Sequence, residues 1–286
     1  MKTSFKRSHP VTTAFGRWVG AFGFNPLAFL TACRGLPRYV RDYKRLRREL
    51  KGLWAMSPSQ PCMGNWFGQA GAASGHYFHQ DFYVARRIHE RKPIKHVDVG
   101  SRIDGFVAHV ASFRILEVFD IRPLAGRLPN VVFRQADFSR LQTVPRDYCD
   151  SLSCLHAVEH FGLGRYGDAI DGDGWKKGIL CLSATLQTGG ILYLSTPIGR
   201  QRVEFNGQRV FSPRTIVSCA EACGLELESF SYVDDSGDFH EGNDLSAVDL
   251  ASGLHLEYGC GIFEFRKRGA TGHPPAGSEL EASSEK

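Results

Sequence analysis

Apolar residues along the chain alternate between short continuous runs and longer stretches in which they recur every three or four positions. Short apolar runs bounded by turn residues indicate buried strands, and three- or four-residue spacing indicates amphipathic helices. The pattern therefore predicts an α/β fold. The predicted strands are Ile94–Val99, Ile115–Phe119, Val131–Ala136, Ser151–Leu155, Ile191–Ser195, Leu225–Val233 and Cys260–Arg266. The predicted helices include His76–Arg91, one starting near Ile103, Trp175–Leu186 and Pro213–Cys223.

The turn after the first predicted strand is the strongest candidate for a ligand site. Gly100 can adopt backbone angles closed to other residues, and Ser101 is placed to cap the helix that follows. The free N–H groups of that helix would then point over the strand end. Phe106 and Val107 stand where a P-loop requires Lys and Ser or Thr, and the chain has no G-x-G-x-x-G motif, so ATP and NAD sites are disfavoured.

Carboxylates follow the next two predicted strands. Asp120 ends the second strand, 20 residues after Gly100, and Asp137 ends the third. An open α/β sheet places an acidic residue at about the first of these positions to hold the two ribose hydroxyls of a nucleoside. The connection Ile121–Asn130 is shorter than the dozen or so residues of an ordinary parallel crossover, which predicts that one helix is reduced to a turn.

The order acidic-x-Gly, acidic, acidic, then L-Q-T-G-G-I-L-Y-L-S-T-P, resembles the class I S-adenosylmethionine-dependent methyltransferases over roughly Lys95 to Arg266. The strings H-V-D-V-G-S-R-I-D-G-F, S-L-S-C-L-H-A-V-E-H-F-G-L-G-R-Y-G-D and R-V-E-F-N-G-Q-R-V-F-S further resemble a bacterial family of unknown function, domain of unknown function 268. The resemblance implies a Rossmann-like, doubly wound, seven-stranded and mostly parallel sheet. Its last strand would be antiparallel, and a helical extension would precede it.

The same resemblance implies where the cofactor binds. Asp98 and Gly100 would face the methionine part of S-adenosylmethionine, Asp120 the ribose, and Asp137 the adenine. The chain departs from the usual motif because Arg102 and Asp104 replace its second and third glycines, which could block backbone approach to the cofactor. The full set of expected cofactor residues is Asp98, Gly100, Ser101, Asp120, Asp137 and Phe138.

The motif H-A-V-E-H follows the fourth predicted strand, where α/β folds place catalytic groups. A hydroxyl acceptor must lose its proton during methyl transfer, and histidine is suited to accept it near neutral pH. We expect His156 to be the base, with His160 second and Glu159 orienting a ring. A glycine-rich loop follows, and its side chains are expected to hold the acceptor: Arg165, Tyr166 and Asp168.

Two other interpretations of this motif remain. H-x-x-E-H is also the spacing of inverted zinc proteases, although no third ligand is evident and no metal site is assigned. Alternatively, the Glu and His side chains serve structure alone. A third possibility concerns the whole protein, since a methyltransferase fold that has lost two motif glycines could act as a binding scaffold. If the protein is an enzyme, its expected acceptor is a small molecule or a sugar hydroxyl, for example in polysaccharide biosynthesis.

Charge divides the chain into two unequal parts. Residues 1–60 carry 12 Lys and Arg against 2 Asp and Glu, and the remainder carries 23 against 28. An acidic body argues against a nucleic-acid substrate. The apolar positions of Leu36–Trp54 fall on one helical face, opposite Arg and Lys. This basic helix either packs on the domain or contacts anionic membrane.

Eight cysteines without a C-x-x-C pair predict a reduced, cytoplasmic protein, peripheral to the inner membrane if the basic helix binds lipid. Leu30–Cys33 resembles a lipoprotein cleavage box, but Asn25-Pro26 interrupts the preceding segment. Composition predicts three parts. These are an N-terminal extension and linker (1–75), the α/β domain (76–268) and a disordered tail (269–286).

Overall fold

The computed structural model describes residues 21–23, 25–50, 52, 54–57, 60–68, 70–71, 73–242 and 253–269. Contacts divide the chain into two units, Met1–Ala72 and Ala73–Lys286. All but the first residue of the predicted tail lies outside the described residues, as does the start of the N-terminal extension. The three-part organisation therefore stays a prediction.

The first unit contains helix α1 (Pro26–Glu49) and a short 3-10 turn (Asn65–Phe67). Asn25 caps α1 by accepting a hydrogen bond from the backbone N–H of Ala28 at 3.0 Å, and Pro26 occupies the first helical position. The prediction of a helix over Leu36–Trp54 was wrong at both ends. Asn-Pro acts here as a start signal, since asparagine caps a helix and proline is pre-organised for its first turn.

Helix α1 is amphipathic, and its apolar side chains are largely accessible. Leu36 is 48% exposed and Leu46 is also 48% exposed. Ion pairs one turn apart join Arg38 to Asp42 and Arg45 to Glu49, which add little stability at such exposed positions. No helix in the described part of the chain is both long enough and apolar enough to cross a membrane.

The second unit is built on an eight-stranded sheet with the order β3-β2-β1-β4-β5-β10-β8-β9, beside a separate β6-β7 hairpin. Strands β1 to β5 are parallel neighbours, and β10 runs antiparallel between β5 and β8. The strands are β1 (His96–Val99), β2 (Leu116–Asp120), β3 (Val131–Gln135), β4 (Cys149–Leu155), β5 (Leu186–Ile198), β6 (Arg202–Glu204), β7 (Gln208–Val210), β8 (Leu225–Val233), β9 (Phe239–His240) and β10 (Gly259–Lys267).

Helices cover both faces of this sheet. Helices α2 (His76–Arg91) and α3 (Ala108–Ala111) pack with one buried cluster, and α4 (Gly174–Thr185) and α5 (Pro213–Ala222) pack with the other. Alternate residues of β5 belong to alternate clusters, as expected when successive side chains point to opposite faces. The predicted doubly wound α/β fold with an antiparallel last strand is confirmed, with the two-residue β9 as an eighth strand.

The connection between β2 and β3, residues 121–130, contains no helix, in agreement with its predicted shortness. In the described residues of the unit, three short helical segments lie near the strand ends. A π-helical turn (Ile103–Val107) leads into α3, and a 3-10 turn (Val158–His160) follows β4. A second 3-10 turn, Gly253–His255, precedes β10.

Helix α2 has the predicted bounds, but only part of the buried face that its apolar spacing predicts. Ala85 and Ile88 are buried as expected, whereas three aromatic residues expected on the same face are exposed: Tyr77, Phe78 and Phe82. Phe78 is 45% exposed and Phe82 is 60% exposed, whereas Gln80 and Asp81 are buried. Hydrogen bonds explain why Gln80 and Asp81 are buried. Gln80 accepts one from the Ser195 hydroxyl on β5 at 2.5 Å and donates one to Asp81 at 3.1 Å. Hydrogen bonding, and not apolar periodicity alone, therefore sets the rotation of this helix.

A buried ion cluster fastens α2 to the sheet. Glu264 on β10 has a 1% exposed side chain and accepts hydrogen bonds from Arg87 at 2.8 Å and Arg91 at 2.6 Å. Tyr83 donates a further bond to the same carboxylate at 2.8 Å. A buried carboxylate needs such partners to offset its loss of hydration.

Candidate functional site

The turn after β1 brings the backbone close to the segment that follows β4. Gly100 has φ +75°, and a Cβ added there would lie 2.9 Å from the Cβ of Ala157. Its N–H donates to the carbonyl of Phe119 on β2 at 2.8 Å. Glycine is thus required for two reasons, since a side chain would be strained and would also clash.

Asp98 lies beneath this turn and does not reach its surface. Its carboxylate is fully buried and accepts hydrogen bonds from the Ser101 N–H at 3.1 Å, the Ser101 hydroxyl at 2.6 Å and the Ser153 hydroxyl at 2.5 Å. Burial raises its pKa to about 7, although these hydrogen bonds oppose the shift. Asp98 therefore holds the turn in place rather than facing a ligand directly.

The prediction that Ser101 caps a helix was wrong. The residue before the helical segment is Arg102, and no side chain caps it. Ser101 is 2% exposed, and its hydroxyl bonds Asp98 instead. The segment is a π-helical turn whose backbone is non-helical at Gly105, and a Cβ added at that position would lie 2.6 Å from the Asp81 carboxylate.

The two side chains that replace motif glycines do not enter the cleft described below. Arg102 and Asp104 pair with each other at 2.8 Å, and their side chains are 56% and 74% exposed. Arg102 also lies over the ring of Tyr77, 5.2 Å from its centroid. These two side chains therefore do not show the expected blocking of the cofactor's approach to the backbone of the turn.

Two carboxylates stand at the ends of β2 and β3, but both already have partners. Asp120 accepts two hydrogen bonds from the Arg122 guanidinium, at 2.9 and 2.6 Å, and one from its backbone N–H at 2.8 Å. Asp137 accepts hydrogen bonds from the N–H and hydroxyl of Ser139 at 2.9 and 2.6 Å. A ligand that uses Asp120 must displace or share the guanidinium.

The glycine-rich loop after β4 is held by buried polar contacts. Arg209, only 6% exposed, donates to the carbonyls of Phe161 at 2.6 Å and Glu159 at 3.3 Å, as well as to two carbonyls farther along the loop. Asp168 accepts from the N–H groups of Gly162 at 2.8 Å and Gly164 at 3.3 Å. Asp168 therefore has an observed structural role, and its expected role in holding an acceptor stays a prediction.

The histidines of H-A-V-E-H have different surroundings. His156 has φ +49°, which is uncommon for a residue with a side chain, and its Nδ1 lies 2.8 Å from Glu159. Burial opposes a charge on this ring, but Cys260 and Glu159 outweigh it and hold the pKa of His156 well above its usual value. These contacts favour the protonated form of the His156 ring.

His160 shows the opposite shift. Its Nδ1 lies 2.8 Å from the carbonyl of Gly207, so Nδ1 carries the proton and Nε2 keeps its lone pair. Burial lowers the pKa of His160, and Arg165 acts in the same direction against the effect of Glu159. This ring is neutral at neutral pH and can accept a proton.

These groups surround one cleft that is open to solvent at its mouth. Residues from the ends of β1, β2 and β3 form one wall, and the segment after β4 forms the other. Of the predicted site residues, the cleft brings together Gly100, Asp120, Asp137, Phe138, His156, His160, Tyr166 and Asp168, and its lining does not include Asp98, Ser101, Glu159 or Arg165.

The cleft also contains residues that the sequence did not single out. Arg122 lies 4.5 Å from the centroid of the Tyr166 ring and so joins the two walls of the cleft. Phe119 packs on Phe138 with ring centroids 5.3 Å apart and forms an apolar floor with Phe161. The spacing of apolar residues marked Phe119 as a strand residue, but no local signal indicates that its ring borders a ligand site.

The position of the cleft follows from the strand order. Chain order reverses between β1 and β4, with β2 and β3 on one side and β5 on the other. Open α/β sheets bind ligands at the carboxyl ends of the strands beside such a reversal. The cleft is therefore a candidate ligand site on grounds of topology as well as lining.

Residues 130–237 match the family described as Caenorhabditis protein of unknown function, DUF268. The match covers less than half of the chain, and the description names Caenorhabditis, so it does not support the expectation of a bacterial family. A search of curated proteins returned no match.

Solved structures similar to this chain include two methyltransferases and a cyclase. The 1,6-didemethyltoxoflavin-N1-methyltransferase of Burkholderia thailandensis, solved with S-adenosylhomocysteine, is 13% identical with a TM-score of 0.48, covering 86% of this chain and 92% of its own. The N-methyltransferase NodS of Bradyrhizobium japonicum is 12% identical with a TM-score of 0.46, covering 69% and 100%. The 4+2 cyclase SpnF is 14% identical with a TM-score of 0.47, covering 71% and 90%. None of these similarities assigns a reaction to the chain.

Proposed function

We propose that the protein is an S-adenosylmethionine-dependent methyltransferase. The observation that carries the proposal is that Gly100, Asp120 and Asp137, from the ends of three adjacent parallel strands, line one cleft. A nucleoside with an amino acid attached needs a ribose-binding carboxylate, a polar and apolar adenine pocket, and a turn without a side chain. The cleft has one of each.

In this proposal each wall residue binds one part of the cofactor. The methionine part lies over Gly100, and Asp98 supports that turn from below. The ribose hydroxyls bond the Asp120 carboxylate in place of Arg122, and the adenine lies against Phe138 with Asp137 at its edge. S-adenosylmethionine supplies the activated methyl group, so the chain's task is to align an acceptor with it.

We assign the proton-accepting role to His160 rather than to His156, which sequence reasoning had ranked first. His160 keeps the lone pair of Nε2, which faces Arg165 at 3.4 Å, and its pKa is lowered, whereas the pKa of His156 is raised. The acceptor in this proposal is a hydroxyl of a small molecule or glycan, which needs a base. Tyr166 and Arg165 lie beside His160 and can hold such an acceptor, and the ring of Tyr166 meets that of His160 edge-on, with centroids 5.6 Å apart.

Calorimetry with S-adenosylhomocysteine tests the cofactor, and methyl transfer from labelled S-adenosylmethionine to small hydroxyl acceptors tests the reaction. His160→Gln should bind the cofactor as wild type does and lose about a hundredfold or more in rate. Asp104→Ala, which changes an exposed carboxylate outside the cleft, is the matched control. Failure of the wild-type protein to bind either cofactor form would refute the proposal.

A binding scaffold is the second candidate, and one observation favours it. Arg122 already occupies the carboxylate that the ribose would need, with two guanidinium contacts below 3.0 Å. Cofactor binding without turnover on any acceptor, or no binding together with a retained fold, would favour the scaffold. The zinc-hydrolase alternative loses support, because His156 precedes the helical turn that carries His160 and the two histidines do not share a helix.

We also propose that α1 contacts anionic membrane from the cytoplasmic side. The support is that exposed apolar side chains and a row of Arg and Lys belong to the same helix. Each basic group near such a surface adds about 1 kcal/mol, and the attraction weakens with salt. Co-sedimentation with anionic but not neutral vesicles is expected, and equal pelleting with both would contradict the proposal.

A further inference from the structure

We propose that His76, His156 and Cys260 form a binding site for a zinc-class transition-metal ion. One ring nitrogen from each histidine and the sulfur of Cys260 lie within 4.8 Å of one another. Among the residues that the structure describes, no other group of three or more metal-ligating side chains is this compact. The site goes beyond the proposed methyl transfer and does not depend on it.

The three ligands come from distant parts of the chain that the sheet brings together. His76 is the first residue of α2, His156 follows β4, and Cys260 is the second residue of β10. Strand β5 connects the last two, because β4 pairs with one of its edges and β10 with the other. His76 and Cys260 lie on secondary-structure elements and His156 lies in the bend directly after β4, so α2 and the sheet fix where the three ligands lie, while their side chains must still adjust to bind an ion.

The hydrogen bonds around the histidines leave one nitrogen of each ring available. Nδ1 of His156 is bonded to the Glu159 carboxylate at 2.8 Å, and the side chains of both residues are almost completely buried. Its Nε2 is buried and has no hydrogen-bond partner among the described residues. His76 bonds the backbone carbonyl of Tyr258. Metal-binding histidines characteristically donate their second nitrogen to a carboxylate or a carbonyl in this way.

A buried imidazole nitrogen without a partner is costly, and the neighbouring sulfur does not remove the cost. Cys260 is fully buried, its thiol makes 3.8 Å contacts to Gln80 and to the backbone carbonyl of Gly261, and its proximity raises the pKa of His156. A cation between the sulfur and Nε2 of His156 would satisfy both atoms. The unpaired nitrogen is therefore an observation independent of the closeness of the three ligands.

The ligand chemistry indicates the class of metal. Thiolate and imidazole together suit zinc and its neighbours rather than magnesium or calcium, which prefer oxygen. A tetrahedral ion with ordinary zinc bond lengths places such ligand atoms about 3.3 to 3.6 Å apart, so the ligands must close by roughly 1 Å. The rings of His76 and His156 are parallel, with centroids 5.4 Å apart, and His76 must turn its ring. His76 lies in the first turn of α2 and is only partly buried, and this position permits its ring to turn.

The test is metal titration of the full-length protein after removal of bound metal with a chelator. We expect one equivalent of Zn²⁺ to bind and one equivalent of Co²⁺ to produce a thiolate-to-cobalt charge-transfer band. Cys260→Ser should abolish the band. His76→Gln should weaken Zn²⁺ binding at least a hundredfold. Glu159→Gln removes only the carboxylate that holds the His156 ring and should weaken Zn²⁺ binding about ten- to a hundredfold.

His79→Gln is the matched control, since His79 lies one turn along α2 and stacks on Phe239 instead, with centroids 5.4 Å apart. It should bind Zn²⁺ as wild type does. Equal loss in His79→Gln and His76→Gln, or no saturable binding by the wild-type protein, would overturn the proposal. A folded Cys260→Ser variant that keeps the cobalt band would also overturn it. If Cys260→Ser does not fold, the partly exposed His76 still decides the question, with circular dichroism to verify folding.

Discussion

The contact between Asp120 and Arg122 allows the cofactor site to be tested without knowledge of the acceptor. In the unliganded protein the Asp120 carboxylate accepts three hydrogen bonds from Arg122. The side chain of Arg122 is 45% exposed, so the ion pair contributes at most about 1 kcal/mol. A pair of ribose hydroxyls bonded to the same carboxylate contributes about 1.5 to 3 kcal/mol. The ribose should therefore displace the guanidinium.

These magnitudes predict opposite effects for the two single variants. Asp120→Ala should weaken S-adenosylhomocysteine binding by roughly two- to thirtyfold, because the about 1 kcal/mol needed to displace Arg122 reduces the net gain from the ribose contact. Arg122→Ala removes an internal competitor and should strengthen binding by up to about fivefold. Because Arg122 acts here through Asp120, the double variant should bind as Asp120→Ala does.

Calorimetry of the four proteins, with Asp104→Ala as a fifth, measures these effects directly. An unchanged dissociation constant in Asp120→Ala would show that the ribose does not bond this carboxylate. A tenfold loss in Arg122→Ala would show that Arg122 contacts the cofactor itself. Either result would refute the proposed arrangement, while a loss in Asp104→Ala would indicate a general effect of charge at this edge of the sheet.

Three further predictions concern stability. Gly100→Ala should cost about 1 to 3 kcal/mol, because it combines a strained φ with a 2.9 Å approach to Ala157; an unchanged urea midpoint would contradict this. Glu264→Gln should cost up to about 3 kcal/mol by the same measurement, since it removes the buried charge that pairs the partly buried guanidinium groups of Arg87 and Arg91. Burial lowers the pKa of His96 to about 3, so the unfolded chain binds a proton that the folded protein does not, and stability is lost as pH falls from about 6.5 towards 3. His96→Gln should remove up to about 1.4 kcal/mol per pH unit of this dependence, and identical slopes in wild type and variant would disprove it.

Local sequence was sufficient to predict most elements of this fold. The predicted and observed bounds agree for α2 and for β8, because apolar spacing reports the repeat of a helix or strand within a single segment. Local sequence was also sufficient to predict much of the lining of the cleft. Gly100, Asp120 and Asp137 were found because each comes directly after a predicted strand, and the carboxyl ends of parallel strands share one edge of the sheet.

Features that depend on contacts between segments could not be predicted in this way. The buried face of α2 is set by Gln80, whose partner on β5 is 115 positions away. Ser101 matched the pattern of a helix cap but bonds Asp98, because that carboxylate is buried and needs donors.

The side chains that surround His156 show most clearly what local sequence cannot predict. The sequence contains His76, His156 and Cys260 at positions with no common motif, and only the order of strands in the sheet brings them within 4.8 Å. Periodicity encodes which face of an element is apolar, but it does not encode which element lies opposite. That choice is made by the packing of the whole sheet, and with it the pairing and the protonation state of each buried polar group.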